Sequence, residues 1–132
     1  MFGNTYDVTE VNFGHAKKVW REIRHRFPAG GIVSNVADWT SKGIIPSGTP
    51  VKWDAENKTI ECFTDEDVTG AADLTALGIN GFLQEDIKVT SENTVASGTA
   101  VYAGELYEYA FDSAVATKLK TLTTVPQVVF VL

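Results

Sequence analysis

Cysteine, histidine and methionine are scarce in this chain of 132 residues, which has one cysteine, two histidines and one methionine. The single thiol, Cys62, cannot form a disulfide within the chain. We therefore expect folding in a reducing compartment, or in one where no disulfide is required. A zinc site needs several cysteine and histidine ligands at short spacing, and the chain has too few of them.

Long apolar runs are also missing. No stretch reaches the roughly eighteen consecutive apolar residues of a membrane-spanning helix. The N-terminal residues MFGNTYDVTEVN are polar, unlike the apolar centre of a signal peptide. We expect no membrane span and no cleaved leader, and the length suits one domain with a single core.

Recognisable catalytic motifs are absent as well. His15 and His25 lie outside any nucleophile motif, and Cys62 falls in an alternating predicted strand, which favours a buried structural thiol. There is no glycine-rich phosphate loop. The acidic run 65–67 lacks the ligand spacing of a calcium loop and is more typical of a solvated loop. The sequence disfavours an enzyme and predicts no cofactor or metal.

Positive charge is concentrated near the N-terminus. Residues 1–30 carry five basic and three acidic side chains, a net of +2, and residues 31–132 carry six and fourteen, a net of −8, which sum to −6. A basic segment on an acidic body suits an anionic partner: nucleic acid, an anionic surface or an acidic patch on another protein. The basic residues of the segment are Lys17, Lys18, Arg21, Arg24 and Arg26.

Apolar residues inside the basic segment have the spacing of one helix face. This i, i+3, i+4, i+7 spacing predicts a short amphipathic helix over residues 15–27, with Asn12 as a candidate cap and residues 28–31 as its end. An extended arm that becomes ordered only on a partner is the competing interpretation. The apolar positions are Ala16, Val19, Trp20, Ile23 and Phe27.

After residue 31 the chain becomes a series of short β-type runs between turn residues. TPVKW (49–53) and TIECF (59–63) alternate as half-buried strands do, and the residues between them, 54–57, predict a hairpin. GFLQEDIKVT, TVASGTAVYAGELYEYAF and the C-terminal QVVFVL supply further strands, the last suited to an edge or closing position. Ser-Gly-Thr occurs twice, at 47–49 and 97–99, where we expect glycine to adopt a backbone conformation closed to other residues.

Helical signals outside the basic segment are short. Residues 65–78 predict a polar loop followed by a helical turn. Residues 112–122 predict a second short helix, with Asp112 as its N-cap. Many short strands with few helices predict a mainly β fold with one or two short helices, arranged as a small β-barrel or sandwich.

Three stretches carry a family resemblance. IIPSGTPVKWDAENKTIE (44–61) resembles the core of small capsid decoration and head-fibre proteins of tailed bacteriophages, which enter a strand through apolar–Pro–small–Gly–Thr–Pro–Val and leave it through aromatic–Asp and a hairpin. Residues 81–87 resemble the family's Gly–apolar–Leu–x–x–Asp–apolar strand. Residues 104–109 resemble its Gly–Glu–apolar–Tyr–Glu strand. The resemblance spans roughly residues 31–111.

The resemblance implies a structural protein of the virion that binds the major capsid protein on the outer capsid surface, as a decoration protein or a head-fibre anchor. It implies assembly in the host cytoplasm, a homotrimer, no membrane partner and no catalytic residues. Residues 31–132 would be the β-rich decoration body, and residues 1–30 the basic capsid-attachment segment. The candidate capsid-binding residues are Lys17, Lys18, Trp20, Arg21, Arg24, Arg26 and Phe27.

Two other functions stay open. A carbohydrate-binding β-module would use exposed aromatic side chains. A nucleic-acid-binding protein would use the basic helix, but the acidic body makes this partner less favoured than a protein surface. The aromatic candidates are Trp39, Trp53, Tyr102, Tyr107 and Tyr109.

Overall fold

The computed structural model describes residues 18–92 and 95–132, and this part of the chain is mainly β with two short α-helices. None of its helices is long and apolar enough to cross a membrane. The strands are β1 (Trp20–Arg26), β2 (Gly31–Val33), β3 (Ile44–Ile45), β4 (Pro50–Asp54), β5 (Thr59–Cys62), β6 (Gly81–Leu83), β7 (Ile87–Lys88), β8 (Ser97–Gly98), β9 (Ala100–Tyr107) and β10 (Val128–Val131). The helices are α1 (Asp65–Gly70) and α2 (Ser113–Leu119), with 3₁₀ turns at Val36–Trp39, Leu74–Leu77 and Glu108–Ala110.

The main sheet curls into a half-barrel. Its strands follow the order β1-β9-β6-β4-β5-β2-β8, and β10 pairs with β9 off this path, while β3 and β7 form a separate small sheet. Only Thr99 separates β8 from β9 in the chain. The two strands at the ends of the path β9-β6-β4-β5-β2-β8 are therefore consecutive in sequence. The expected mainly β, barrel-like fold is confirmed.

The sheet is buried on both faces near its centre. Phe82 and Leu83 are neighbours on β6, and successive strand residues point to opposite faces. Phe82 belongs to a core cluster that α1, α2 and the turn at Leu74–Leu77 cover. Leu83 belongs to the second cluster, which the turn at Val36–Trp39 helps to cover. β6 therefore contributes to both core clusters, one on each face of the sheet.

The local predictions for the hairpin and the second helix are confirmed. The Asp54 carboxylate accepts hydrogen bonds from the backbone amides of Glu56 (2.9 Å) and Asn57 (3.2 Å), which close the turn between β4 and β5. The bonds from Asn57 lower the pKa of Asp54. Asp112 caps α2 by accepting from the amide of Ala114 at 3.1 Å.

The expected polar loop after residue 64 is instead helical at its start. Thr64 and Asp67 form a reciprocal capping box, which satisfies two backbone donors and allows α1 to begin at Asp65. The predicted helical turn follows at Leu74–Leu77.

The predicted amphipathic helix over residues 15–27 is wrong: in its described part, residues 18–27, the chain forms strand β1 over Trp20–Arg26 and no helix. β1 pairs antiparallel with β9, with register shifts between Trp20 and Glu22, between Ile23 and His25, and between His25 and Arg26. Each irregularity displaces the two-residue alternation of a strand. The more buried side chains therefore recur at Trp20, Ile23 and Phe27, a spacing that imitates a helix. Asn12, His15, Ala16 and Lys17 lie outside the described residues.

The two Ser-Gly-Thr segments flank the end of β6. The Gly48 amide donates to the Leu83 carbonyl at 2.8 Å, and the Gln84 amide donates to the Thr99 carbonyl at 2.9 Å. Gly48 has a φ of 85°, as expected. For Gly98 the expectation is wrong: its φ is not positive, and a Cβ there would lie 2.7 Å from Cδ1 of Ile87, a side-chain end that would have to shift.

Replacement of Trp20 by alanine should destabilise the free protein by about 3–5 kcal/mol, because a large buried side chain is lost. Trp20 is only 9% exposed, and its indole N–H donates to the Leu83 carbonyl at 3.1 Å. Urea unfolding followed by circular dichroism measures the change. Arg21→Ala, at the neighbouring exposed position, is the control and should leave the midpoint nearly unchanged. Equal midpoints for both variants would place Trp20 outside the core.

Cys62 should be unreactive in the native state, because it is fully buried and its pKa is raised to about 12, chiefly by burial. A thiol reagent at pH 8 should label it only as the protein unfolds. The unfolded thiol titrates near 9.0, so the folded state holds the proton more tightly. The corresponding stability is complete below that pH and is lost as the pH rises towards 12. Rapid labelling of native protein would contradict the burial.

Candidate functional site

The predicted basic residues lie on an exposed edge strand. β1 stands at one end of the sheet order, and Lys18, Arg21, Arg24 and Arg26 are all exposed. Lys17 lies outside the described residues. Charged side chains on an edge strand oppose uncontrolled pairing with another chain. We call the exposed surface of Lys18 and β1 the basic face.

Acidic neighbours neutralise part of the basic face. Arg21 forms an ion pair with Glu105 of β9, which raises the pKa of Arg21. Arg24 lies 2.8 Å from Glu22 and 3.8 Å from the second oxygen of Glu105. With four cations and two carboxylates, the face keeps a net charge of +2 among described residues.

The two cations without an ion pair stand at opposite ends of the basic face. Neither Lys18 nor Arg26 forms an ion pair with another described residue. The excess positive charge of the face is therefore available to a partner at both ends of β1.

The two aromatic candidates of the segment have structural positions. Trp20, a candidate capsid-binding residue, is buried in the core of the chain. Phe27 is half-buried, stacked on Trp53 with ring centroids 4.4 Å apart and 4.8 Å from Tyr102. The ring also lies beside Gly81, where a Cβ would be 3.4 Å from it, an ordinary contact distance.

These rings form a column that fastens the end of β1 to the half-barrel. His25 stacks on Tyr102 at 5.9 Å, Tyr102 contacts Phe27, and Phe27 covers Trp53. The Trp53 indole N–H donates to the Gly30 carbonyl at 3.2 Å. Much of each ring face is therefore occupied by another ring.

The aromatic set suggested for carbohydrate binding is mostly not exposed. Trp39 is 4% exposed, and its indole N–H donates to the Cys62 carbonyl at 3.3 Å, so its expected exposure is wrong. Tyr107 and Tyr109 stack on each other at 5.1 Å, and Tyr109 is the exposed member of that pair. The structure does not bring the five rings together on one open surface.

The acidic run at residues 65–67 belongs to the first turn of α1, where Asp67 serves the capping box. Among the described residues, no group of three or more His, Cys, Asp or Glu side chains is arranged to hold a metal ion. The geometry of this run is therefore that of a helix start.

The sequence interpretation missed a cleft of about 520 Å³ beside the start of β1. Its walls are mainly apolar, and we call it the Gly48 cleft. Its charged lining residues are Asp65, Asp86, Asp112 and Lys42, which are far apart in the chain. Only the Ser-Gly-Thr turn at 47–49 signalled it, because a glycine with positive φ marks a close backbone approach.

Replacement of Phe27 by alanine should lower the free energy of unfolding by about 2 kcal/mol, because a half-buried ring and two ring contacts are lost. Tyr109→Ala removes a ring that is 59% exposed and should change it by less than about 0.5 kcal/mol. Thermal or urea unfolding of both variants provides the comparison. A similar loss in the two variants would mean that the column does not fasten β1.

In comparisons with known proteins, no family model matches the chain and no curated protein shows significant similarity to it.

Proposed function

We propose that this protein is a structural, non-catalytic component of a bacteriophage virion that attaches to the outer surface of the capsid. It acts there as a decoration protein or as the anchor of a head fibre. The observation that carries the proposal is the basic face: an exposed strand with a net charge of +2 on a chain whose total is −6. Such a segregation of charge suits a protein that must approach a negatively charged partner in one orientation.

The arrangement of the three resembling stretches supports the proposal. They contribute β3, β4 and most of β5, then β6, and then the second half of β9. In the sheet, β9, β6, β4 and β5 are consecutive neighbours. The first two stretches are therefore paired directly through β4 and β6, and the third lies on the strand that pairs with β6 through its first two residues.

The basic face can bind carboxylates of the major capsid protein although two of its arginines are already paired. A guanidinium has five N–H donors, and one ion pair uses only part of them. Glu105 holds Arg21 and approaches Arg24, so both guanidiniums are positioned before a partner arrives. Pre-organisation of this kind lowers the entropic cost of binding.

Reversal of Arg21 and Arg24 to glutamate should slow association with undecorated capsids by about tenfold or more, because charge steers the encounter. Surface plasmon resonance on immobilised capsids measures the rate. The matched control is the double reversal of Lys58 and Lys88, two exposed cations off β1 that give the same change in net charge. Equal slowing in both variants would show that total charge, and not the basic face, governs attachment.

A nucleic-acid partner would give a different result from a capsid partner. Retention of the parent protein on DNA, falling steeply with salt and lost in the Arg21 and Arg24 reversal, would replace the capsid proposal.

The proposal includes a homotrimer. Light scattering of the full chain at micromolar concentration should give three times the chain mass of 14.3 kDa. Avidity from three linked sites would then raise the capsid affinity without new contacts. A monomer mass across the micromolar range would remove the trimer from the proposal and leave the attachment surface as it stands.

A further inference from the structure

The turn at Gly48 lies against Val19 and Phe111 at one wall of the Gly48 cleft. A Cβ on Gly48 would lie 2.5 Å from Cγ1 of Val19 and 3.1 Å from Cζ of Phe111, so only glycine lets these two side chains close on the turn. Val19 and Phe111 form the wall of the cleft next to β1. Buried Trp39, Phe63 and Val115 also line it.

Three carboxylates and one lysine surround this apolar interior, and the lysine offsets only part of the negative charge. Lys42 lies 3.5 Å from Glu66 in an ion pair. The carboxylates of Asp65, Asp86 and Asp112 form no ion pair with a described residue. The cleft therefore combines apolar walls with an excess of negative charge.

Two of the carboxylates are held in place by the backbone. Asp86 accepts from the Ser47 amide at 2.7 Å, and Asp112 accepts from the Ala114 amide at 3.1 Å. The pKa of Asp65 is raised, first by burial and then by the negative charges of Glu66 and Asp112. A cation entering the cleft would relieve that repulsion at oxygens whose positions are already set.

We propose that the Gly48 cleft is a docking pocket for a lysine or arginine side chain that stands beside an apolar residue on the partner protein. The apolar residue and the aliphatic stem pack against Val19 and Phe111, and the cationic head meets the carboxylates. Arginine suits the pocket better, because its planar head binds carboxylates in a fork and stacks on an aromatic ring. The identity of the partner as the capsid rests on the proposed function, whereas the chemistry of the pocket is independent of it.

The pocket and the basic face adjoin along the chain, since Val19, which lines the pocket, lies between Lys18 and the first residue of β1. A partner that fits both must present an acidic patch beside a basic and apolar one. Adjacent patches of opposite sign fix the orientation of docking and penalise a partner that is turned round. The cleft thereby narrows the class of surface that the protein can recognise.

The test uses a small probe and the full chain. N-acetyl-phenylalanyl-arginine amide is titrated into ¹⁵N-labelled protein, and amide shifts report where it binds. We expect saturable shifts at Ser47, Gly48, Phe111 and Asp112. Two matched probes separate the contributions: the citrulline analogue, which is neutral and of the same shape, and N-acetyl-glycyl-arginine amide, which lacks the apolar ring. Each should bind about tenfold more weakly or worse.

A second experiment removes the negative charge of the cleft and measures binding of the same arginine probe. Asp65→Asn, Asp86→Asn and Asp112→Asn combined keep the side-chain shape, and asparagine still caps α2. This variant should lose about tenfold or more in affinity for the arginine probe. The control variant combines Glu56→Gln, Glu61→Gln and Glu92→Gln, exposed carboxylates outside the cleft, and should bind as the parent does.

The outcomes separate the pocket from the proposed function. Equal binding of the arginine and citrulline probes, unchanged binding by the asparagine variant, or shifts confined to another surface would each overturn the pocket. Probe binding that follows the expected pattern supports it, whether or not the protein attaches to capsids. A further outcome is that the parent and the asparagine variant decorate capsids equally well. In that case the capsid does not supply the arginine or lysine that docks in the pocket, and the capsid is overturned as the partner of the pocket.

Discussion

Strand β9 pairs with three other strands, and the rest of the fold depends on that pairing. On one side, β6 pairs with its first two residues and β10 with its last four, while β1 covers the other side. Gly104 makes this possible, because a Cβ there would lie 2.4 Å from the Glu22 carbonyl and 3.1 Å from the Trp20 ring. β9 thus also holds β1 and its charged side chains in place.

The same pairing shapes the electrostatics of the surface. Glu105 reaches Arg21 and Arg24 because β9 runs beside β1, so the basic face is positioned by a residue from the other end of the chain. The carboxylates of the Gly48 cleft come from the start of α1, the N-cap of α2 and the segment after β6. The positively charged strand and the negatively charged cleft thus lie next to each other along the chain at Val19.

Local chemistry was a sound guide where short-range hydrogen bonds decide the outcome. The hairpin at Asp54 and the cap at Asp112 were predictable, because each depends on a carboxylate and an amide two or three residues away. The burial of Cys62 followed from strand alternation. β1 was mispredicted because its register shifts turn the alternation of a strand into the spacing of a helix. The exposed aromatic set was mispredicted at Trp39, whose indole reaches a carbonyl on β5.

The sequence by itself determined the mainly β class, the turns and the gathering of cations near the N-terminus, since these depend on composition and on neighbouring residues. Only the tertiary structure decided that Trp20 is core, that Glu105 offsets Arg21 and that a cleft opens at Gly48. The physical reason is that hydrophobic periodicity shows which side chains avoid water, but it does not show which distant strand accepts a backbone N–H. A contact such as the Trp20 indole on the Leu83 carbonyl exists only after the chain has folded back on itself.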